Sequence, residues 1–256
     1  MVYVFIFVLG CIVGSFLNVL IDRLPQAENP FVGRSHCDHC KKTLRVVDLI
    51  PLLSFVMLKG KSSCCHKPLS WRMPLVELTT GIIFVYTWLY SLQLSTVYYE
   101  LRTLFLLIIF CSFLVIFFVD FKHHIIPDEM IISSIFGVLL YTFSSSFSYV
   151  LIYENFLSGA GAAMFLLLIF LFTKGKGMGF GDVKLALALG LFLGPEKAVV
   201  GMYLAFLTGA IVSLILILIG RKKLKHKIAF GPFLIVGTII SFFYGGILST
   251  WYFSFF

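Results

Sequence analysis

The sequence predicts an all-α polytopic integral membrane protein, with about eight transmembrane helices and one cytoplasmic loop domain that contains cysteines. Three observations carry this. Of 256 residues, 60% are apolar and 12% charged, and the mean hydropathy is +1.02, outside the range of soluble domains. Apolar runs of roughly 17 to 25 residues, long enough to cross a bilayer core, recur along the chain. The basic residues collect between alternate runs.

The first run, about 3–21, has no Lys or Arg before it and no small-residue cleavage site leading to a soluble domain after it. It reads as a retained helix and not as a signal peptide. Polar sequence follows to about residue 73, and further runs fall at 74–92, 101–119, 129–145, 156–173, 197–220 and 230–252. A shorter run at 182–194 is counted as a span because Gly190 and Gly194-Pro195 mark its end as a turn, and because its neighbours otherwise leave the chain on the wrong side. The expected organisation is a first transmembrane helix at 1–21, a loop domain with a cysteine cluster at 22–73, and a catalytic membrane domain of seven helices at 74–256.

With eight spans, 18 of the 20 Lys and Arg lie on one face, leaving Arg102 and Lys197 on the other. Lys and Arg are retained in the cytoplasm, so this face is cytoplasmic and both chain ends lie outside. The formal net charge of +8 is then a topology determinant beside anionic lipid, and no nucleic-acid partner is expected. The 29 Phe serve lipid contact and packing.

The same topology brings acids to one depth. Asp120 closes the third run, Asp128 and Glu129 open the fourth, and Asp182 opens the short sixth. A single carboxylate there is commonly a cap, and Asp182 is a candidate N-cap. A cap does not explain GKGMGFG, where Gly175, Gly177, Gly179 and Gly181 alternate in backbone that is costly to order. Such backbone is tolerated at membrane depth only where protein buries it or water reaches it, which implies a hydrated cleft beside Asp182. Two carboxylates facing such a cleft would share a proton and could act as general base and general acid on a peptide bond. A proton or cation site of a transporter uses the same residue types, and a non-catalytic membrane partner would also keep the cleft.

At these residues the chain resembles a known family. GFGD, Gly179 to Asp182, is similar to the GxGD signature of intramembrane aspartyl proteases, and VDFKHHIIPDE, Val119 to Glu129, resembles the partner segment of type IV prepilin peptidases. GSFLNVLIDRLP, DLIPLLSFVMLKGK, PLSWRMPLVELTTG and FGPFLIVG resemble the same family in the same order. The resemblance implies a catalytic pair at Asp120 and Asp182, with Asp128 and the signature glycines Gly179 and Gly181 in supporting roles; Glu77, an acid within the second run, is a further supporting candidate. It implies cleavage of a basic leader from prepilins or pseudopilins at the cytoplasmic membrane boundary, usually after a Gly, by a multi-pass protein of the bacterial cytoplasmic membrane. Many members of the family also methylate the new amino terminus with S-adenosylmethionine.

The loop domain holds Cys37, Cys40, Cys64 and Cys65. In a reducing cytoplasm these read as a zinc site before disulfides. The family commonly carries CxxC twice, and this chain has Ser62 where the third ligand is expected, so Cys64, or one of His36, His39 and His66, would complete the set. Cys11 and Cys111 lie in spans and read as small packing residues. Glu77 must be paired or face a polar cleft: an ion pair with Arg72 or Arg23 and a part in methyl transfer are both open. Ser15 and Asn18 read as hydrogen-bonding cross-links between helices, and His123 and His124 as solvated loop residues. LIPLLSFVML, Leu49 to Leu58, is too short to span, and is expected on the membrane surface or packed in the loop domain.

Overall fold

A computed structural model describes residues 1–33, 35–37, 39–93, 99–145, 149–219 and 229–253. The five basic residues of the 221–227 segment and Arg34, which entered the charge count, lie outside the described residues. Within them the chain is all-helical: α1 Val2–Arg23, α2 Leu53–Met57, α3 Arg72–Gln93, α4 Tyr99–His123, α5 Asp128–Ser145, α6 Tyr149–Phe172, α7 Phe180–Leu218 and α8 Gly231–Phe253. Every predicted apolar run falls in one of these helices. Among the described residues α1, α3, α4, α6 and α7 are long and apolar enough to cross a membrane, and α5 and α8 are shorter apolar helices.

Two predicted runs share α7. A straight helix of 39 residues would be about 58 Å long, nearly twice the roughly 30 Å of a hydrocarbon core. Gly194 resolves this. Its φ of 73° and ψ of 176° break the helix, with Pro195 immediately behind it, in a conformation that only glycine adopts cheaply.

The chain divides into two compact units, Met1–Val115 and Ile116–Phe256, with the boundary inside α4. In the amino-terminal unit α1 packs on α3 along a seam of small residues. A Cβ on Gly10 would stand 2.8 Å from the Gly81 Cα, and one on Gly14 would stand 2.8 Å from the Glu77 Cα. Lipid offers no hydrophobic drive for helix pairing, so close backbone approach at small residues supplies the contact. Cys11 is buried in this seam, as its packing role predicted. Asn18 ties α1 to α3 by donating from Nδ2 to the Met73 carbonyl at 3.1 Å, and the Ser15 hydroxyl bonds Glu77.

In the carboxy-terminal unit α7 is central, packed by α5, α6 and α8. Gly190 meets Gly159 of α6 backbone to backbone, where an added Cβ would come within 2.7 Å of the Gly159 Cα, and Gly237 of α8 lies against the Gly201 carbonyl of α7. These contacts pack α7 closely against its neighbours on both sides of the break at Gly194.

Candidate functional site

Asp120 lies in the last turn of α4. The helix ends three residues later, at His123, because His124 turns into the left-handed region at φ 55° and donates its N–H to the Asp120 carbonyl at 2.9 Å. His124 itself is exposed, as expected of a solvated loop residue. Ile125 and Ile126 follow, then Pro127, which disfavours helix in the residue before it, and α5 begins at Asp128.

The Asp120 carboxylate is 5% exposed and accepts a hydrogen bond at 3.0 Å from the backbone N–H of Gly231, the first residue of α8. Asp182 is 6% exposed and accepts from the Gly179 N–H at 3.0 Å. Gly179 is therefore the N-cap and Asp182 the third helical residue reaching back to it. This corrects the expectation of Asp182 as N-cap: the carboxylate still satisfies an orphan donor of the helix end, but from inside the helix. Both carboxylates are buried, while Gly179 and Phe180 beside Asp182 are exposed.

Ile126 brings the two halves of the site together. A Cβ on Gly181 would stand 3.1 Å from the Ile126 Cβ, and one on Gly231 would stand 3.4 Å from its Cδ1 and 2.6 Å from the Asp120 Oδ2. The two carboxyl groups are near enough for the charge of Asp120 to act on Asp182. Of the alternate glycines, Gly181 is small because Ile126 packs on it and Gly175 adopts φ 71°, whereas Gly179 has room for a side chain and an ordinary extended backbone. Sequence reasoning missed Ile126 and Gly231. The loop length between Asp120 and Pro127 was the available signal for the first, and the FGP tripeptide opening the last helix for the second.

Asp128 does not join the pair. It binds Lys184 with both oxygens at 2.8 Å, tying the start of α5 to α7. With the two side chains 62% and 40% exposed, this pair adds little stability, about 0–1 kcal/mol.

In the amino-terminal unit Glu77 forms neither of the ion pairs expected of it. Arg72 binds Asp22 at 2.6 Å, and Arg23 donates to the carbonyls of Asn29 and Val32. The reason is depth: Arg72 opens α3 level with Asp22 near the end of α1, more than a helical turn from Glu77. Glu77 instead accepts the Leu52 N–H at 2.9 Å and the Ser15 hydroxyl.

The cysteine cluster is built from two similar turns. His36 pairs with Thr43 and Lys61 with Pro68 across short bridges. Inside the first, Cys37 takes the Lys42 carbonyl and Lys41 N–H donates to Cys37; inside the second, Ser62 takes the Lys67 carbonyl and His66 N–H donates to Ser62. Lys41 and His66 both have positive φ. Ser62 therefore occupies in the second turn the place of Cys37 in the first, and Cys65 that of Cys40.

The missing thiol is replaced from an unexpected position. Cys64 turns its sulfur into the cluster, so that the Sγ atoms of Cys37, Cys40, Cys64 and Cys65 all lie within 4.8 Å of one another. His36, His39 and His66 do not belong to this group. Tetrahedral zinc with Zn–S of about 2.3 Å needs sulfurs about 3.8 Å apart. Cys37 and Cys65 are 3.7 Å apart, and Cys40 and Cys64 are closer at 3.0 Å. The donor set fits a metal ion, with the Cys40–Cys64 edge needing to open. Ser62, 3% exposed, hydrogen-bonds both Cys37 at 3.2 Å and Cys64 at 3.1 Å. That bond above all pushes the Cys37 thiol down to about 6, while the neighbouring Cys64 pushes the Cys40 thiol up to about 11.

The segment between the two cysteine pairs exposes Leu49, Ile50, Leu53, Val56 and Met57, the last three giving the short helix α2 an apolar face as a surface-lying segment would have.

Comparison with known proteins agrees with both units. Residues 8–91 match the family described as Bacterial Peptidase A24 N-terminal domain, and residues 105–214 match the Type IV leader peptidase family. A prepilin leader peptidase/N-methyltransferase of Legionella pneumophila is 30% identical over 94% of this chain and 90% of its own length. Proteins of the same description from Dickeya chrysanthemi and Aeromonas hydrophila are 33% and 30% identical, over 89% and 96% of this chain and 87% and 92% of theirs. No solved structure matches. Two family matches in series and relatives aligned almost from end to end lead to one conclusion: the chain belongs to the type IV leader peptidase family.

Proposed function

We propose that this protein is a membrane-embedded aspartyl endopeptidase that removes the basic leader from prepilins or pseudopilins and then N-methylates the new amino terminus. The observation that carries the peptidase reading is the buried pair Asp120 and Asp182, each held by one backbone N–H at a helix end. Like charges so close cannot both ionise cheaply, so the pair keeps one proton between them. The ionised carboxylate takes a proton from water as the water oxygen attacks the scissile carbonyl carbon, and the protonated one donates to the carbonyl oxygen. Collapse breaks the C–N bond, and the proton passes to the leaving amine. No covalent enzyme intermediate forms. Because the two groups titrate together, neither carries a fixed role before substrate binds.

Gly181 and Gly231 support the pair by leaving room for Ile126 and for the Asp120 carboxylate, and Asp128 supports it by tying the start of α5 to α7 through Lys184. The basic loops support a topology with this end of the helices at the cytoplasmic face of a bacterial membrane, where a basic leader meets an apolar pilin helix. The test is cleavage of a purified prepilin by the protein in lipid vesicles, followed by mass spectrometry of the new amino terminus with and without S-adenosylmethionine. One cut at the leader junction, with a methyl group added only when the donor is present, is the expected result. An intact substrate with folded protein overturns the reading.

The four thiolates hold a structural zinc ion, with Cys64 in place of the thiol that Ser62 lacks. Metal analysis of purified protein should give about one zinc per chain, and Cys64→Ser should lose most of it. Ser62→Cys should hold zinc more tightly against a chelator, because it supplies a thiol at the position equivalent to Cys37. Occupancy should fall as the pH is lowered, because protons compete with the metal for the thiolates.

A further inference from the structure

The loop domain does not stand clear of the helices that flank it. Arg23, the last residue of α1, donates from Nη1 to the carbonyls of Asn29, Pro30 and Val32 at 3.1, 3.5 and 2.7 Å. The Asn29 Oδ1 accepts the Phe31 N–H at 2.9 Å. These bonds fold the turn back along α1, and the Phe31 ring packs on Phe16 with centroids 5.9 Å apart. Phe16 lies seven residues before the end of α1, about 10 Å inside it. Phe31 and Val32 are nevertheless 80% and 68% exposed. A turn whose polar backbone groups are satisfied from within can sit at membrane depth, and this one presents an apolar tip there.

A second apolar point comes from α2. The Leu52 N–H, immediately before it, is bound by Glu77 in the second turn of α3, which holds the chain entering α2 against the spans and not above them. Within α2, Phe55 meets the Trp71 ring edge-on at 5.0 Å. Trp71 is exposed one residue before α3, and tryptophan there marks the boundary between bilayer and water. Leu53, Val56 and Met57 recur at three- and four-residue spacing, so they share one face, and all three are exposed. Arg45, Lys59 and Lys61 flank this face in sequence and are exposed as well. Large apolar residues rimmed by basic ones suit a membrane surface. The rim selects the occupant, because phosphate headgroups are drawn to Lys and Arg whereas a basic leader peptide is repelled by them.

We infer that the loop domain docks on the bilayer, with the Phe31–Val32 tip and the exposed face of α2 among the acyl chains of anionic phospholipid and with Arg45, Lys59 and Lys61 at its phosphates. Because α1 and α3 cross the membrane, both points are already tethered beside it, and docking is an intramolecular step at high effective concentration of lipid. One point precedes the first cysteine turn and the other lies between the two turns. Docking therefore fixes both turns at the height of the headgroups, where an untethered loop of this length would move freely above them.

The test places the photoreactive residue p-benzoylphenylalanine at Phe31, at Met57 and, as a control on the first cysteine turn, at the exposed Lys42, in the full chain in the membranes of the expressing cells. Thermal unfolding is the folding control, and Val32 and Val56 are the alternative positions where Phe31 or Met57 does not tolerate the change. Irradiation should give lipid adducts at Phe31 and Met57 roughly tenfold or more above those at Lys42, as burial of a large apolar side chain in lipid implies. In vesicles of equal parts phosphatidylglycerol and phosphatidylcholine, adducts at Met57 should favour phosphatidylglycerol about fivefold, the effect of one lysine beside an anionic surface. Lys59→Gln combined with Lys61→Gln should bring that ratio close to equality. Adducts to protein in place of lipid would assign the face to a partner chain, and lipid yields no higher than at Lys42 would leave it in water; either result overturns the docking. Equal adducts of the two lipids in the wild type overturn the role of the basic rim.

Discussion

Asp120→Asn and Asp182→Asn should each reduce prepilin cleavage by about a thousandfold, within the range that general acid–base groups contribute, while the protein remains folded and inserted. Asparagine keeps the acceptor oxygen that the Gly231 N–H requires at position 120 and the Gly179 N–H at position 182, so the helix ends need not rearrange. It can neither take nor give a proton. The double variant should be no worse than either single one, because the two carboxyls act as a unit and removing one already removes the shared proton. The wild type should show a bell-shaped dependence of cleavage on pH whose two limbs both belong to the coupled pair. Rates within a few-fold of wild type in either single variant, in folded protein, would return these carboxylates to helix capping. A multiplicative loss in the double variant would mean that the two groups act separately.

Much of this arrangement was legible in the sequence because the membrane imposes simple rules. Apolar length marks helices, and every run long enough to span became one, even the two that meet at Gly194. The depth of Asp120, Asp128 and Asp182 followed from where those runs end. What sequence could not supply was pairing between distant backbone and side chain. Nothing local to Glu77 says that its partner is the N–H of Leu52, which depends on a positive φ that leucine rarely adopts; an ion pair with a nearby arginine is the natural expectation from composition. Likewise Asp182 looked like a cap by its position after glycine, and the structure moves the cap to Gly179 because the carboxylate folds back on it.

The cysteine cluster shows both sides of this limit. The spacing identified four candidate ligands and the family resemblance the irregularity at Ser62, but a choice between Cys64 and three histidines is a question of where side chains turn. The two bridged turns answer it. Once Cys37 and Ser62 occupy equivalent positions, the thiol of Cys64 is the one within reach, and Ser62 becomes a hydrogen-bonding neighbour of two sulfurs. A polar group beside the ligands fixes their orientation much as a ligand would fix the metal.

Gly231→Ala should lower cleavage by about a hundredfold with only a modest loss of stability, and Gly246→Ala in the same helix should do neither. The difference lies in what the added methyl group meets. A Cβ added at Gly246 would meet no described atom within 4 Å beyond its own stretch of helix, whereas at Gly231 the new Cβ would stand 2.6 Å from the Asp120 Oδ2 and 3.4 Å from the Ile126 Cδ1. A contact that short cannot persist, so the carboxylate or the start of α8 must give way. Relief through the side chain costs at most about 1–3 kcal/mol, as overpacking does, and a misplacement of the carboxylate on the order of 1 Å is enough for a hundredfold loss. Gly231 thus acts as a positioning residue, donating one N–H to Asp120 and holding no group that could obstruct it. The readout that separates this from simple destabilisation is the pH profile. If the Asp120 carboxylate is displaced from its donor and from Asp182, the coupling between the acids changes and both limbs of the bell move, while the profile of Gly246→Ala superimposes on that of the wild type. Cleavage by Gly231→Ala at the wild-type rate with an unmoved profile would mean that α8 can shift freely at its start, and that the N–H to Asp120 is not what holds the acid in place.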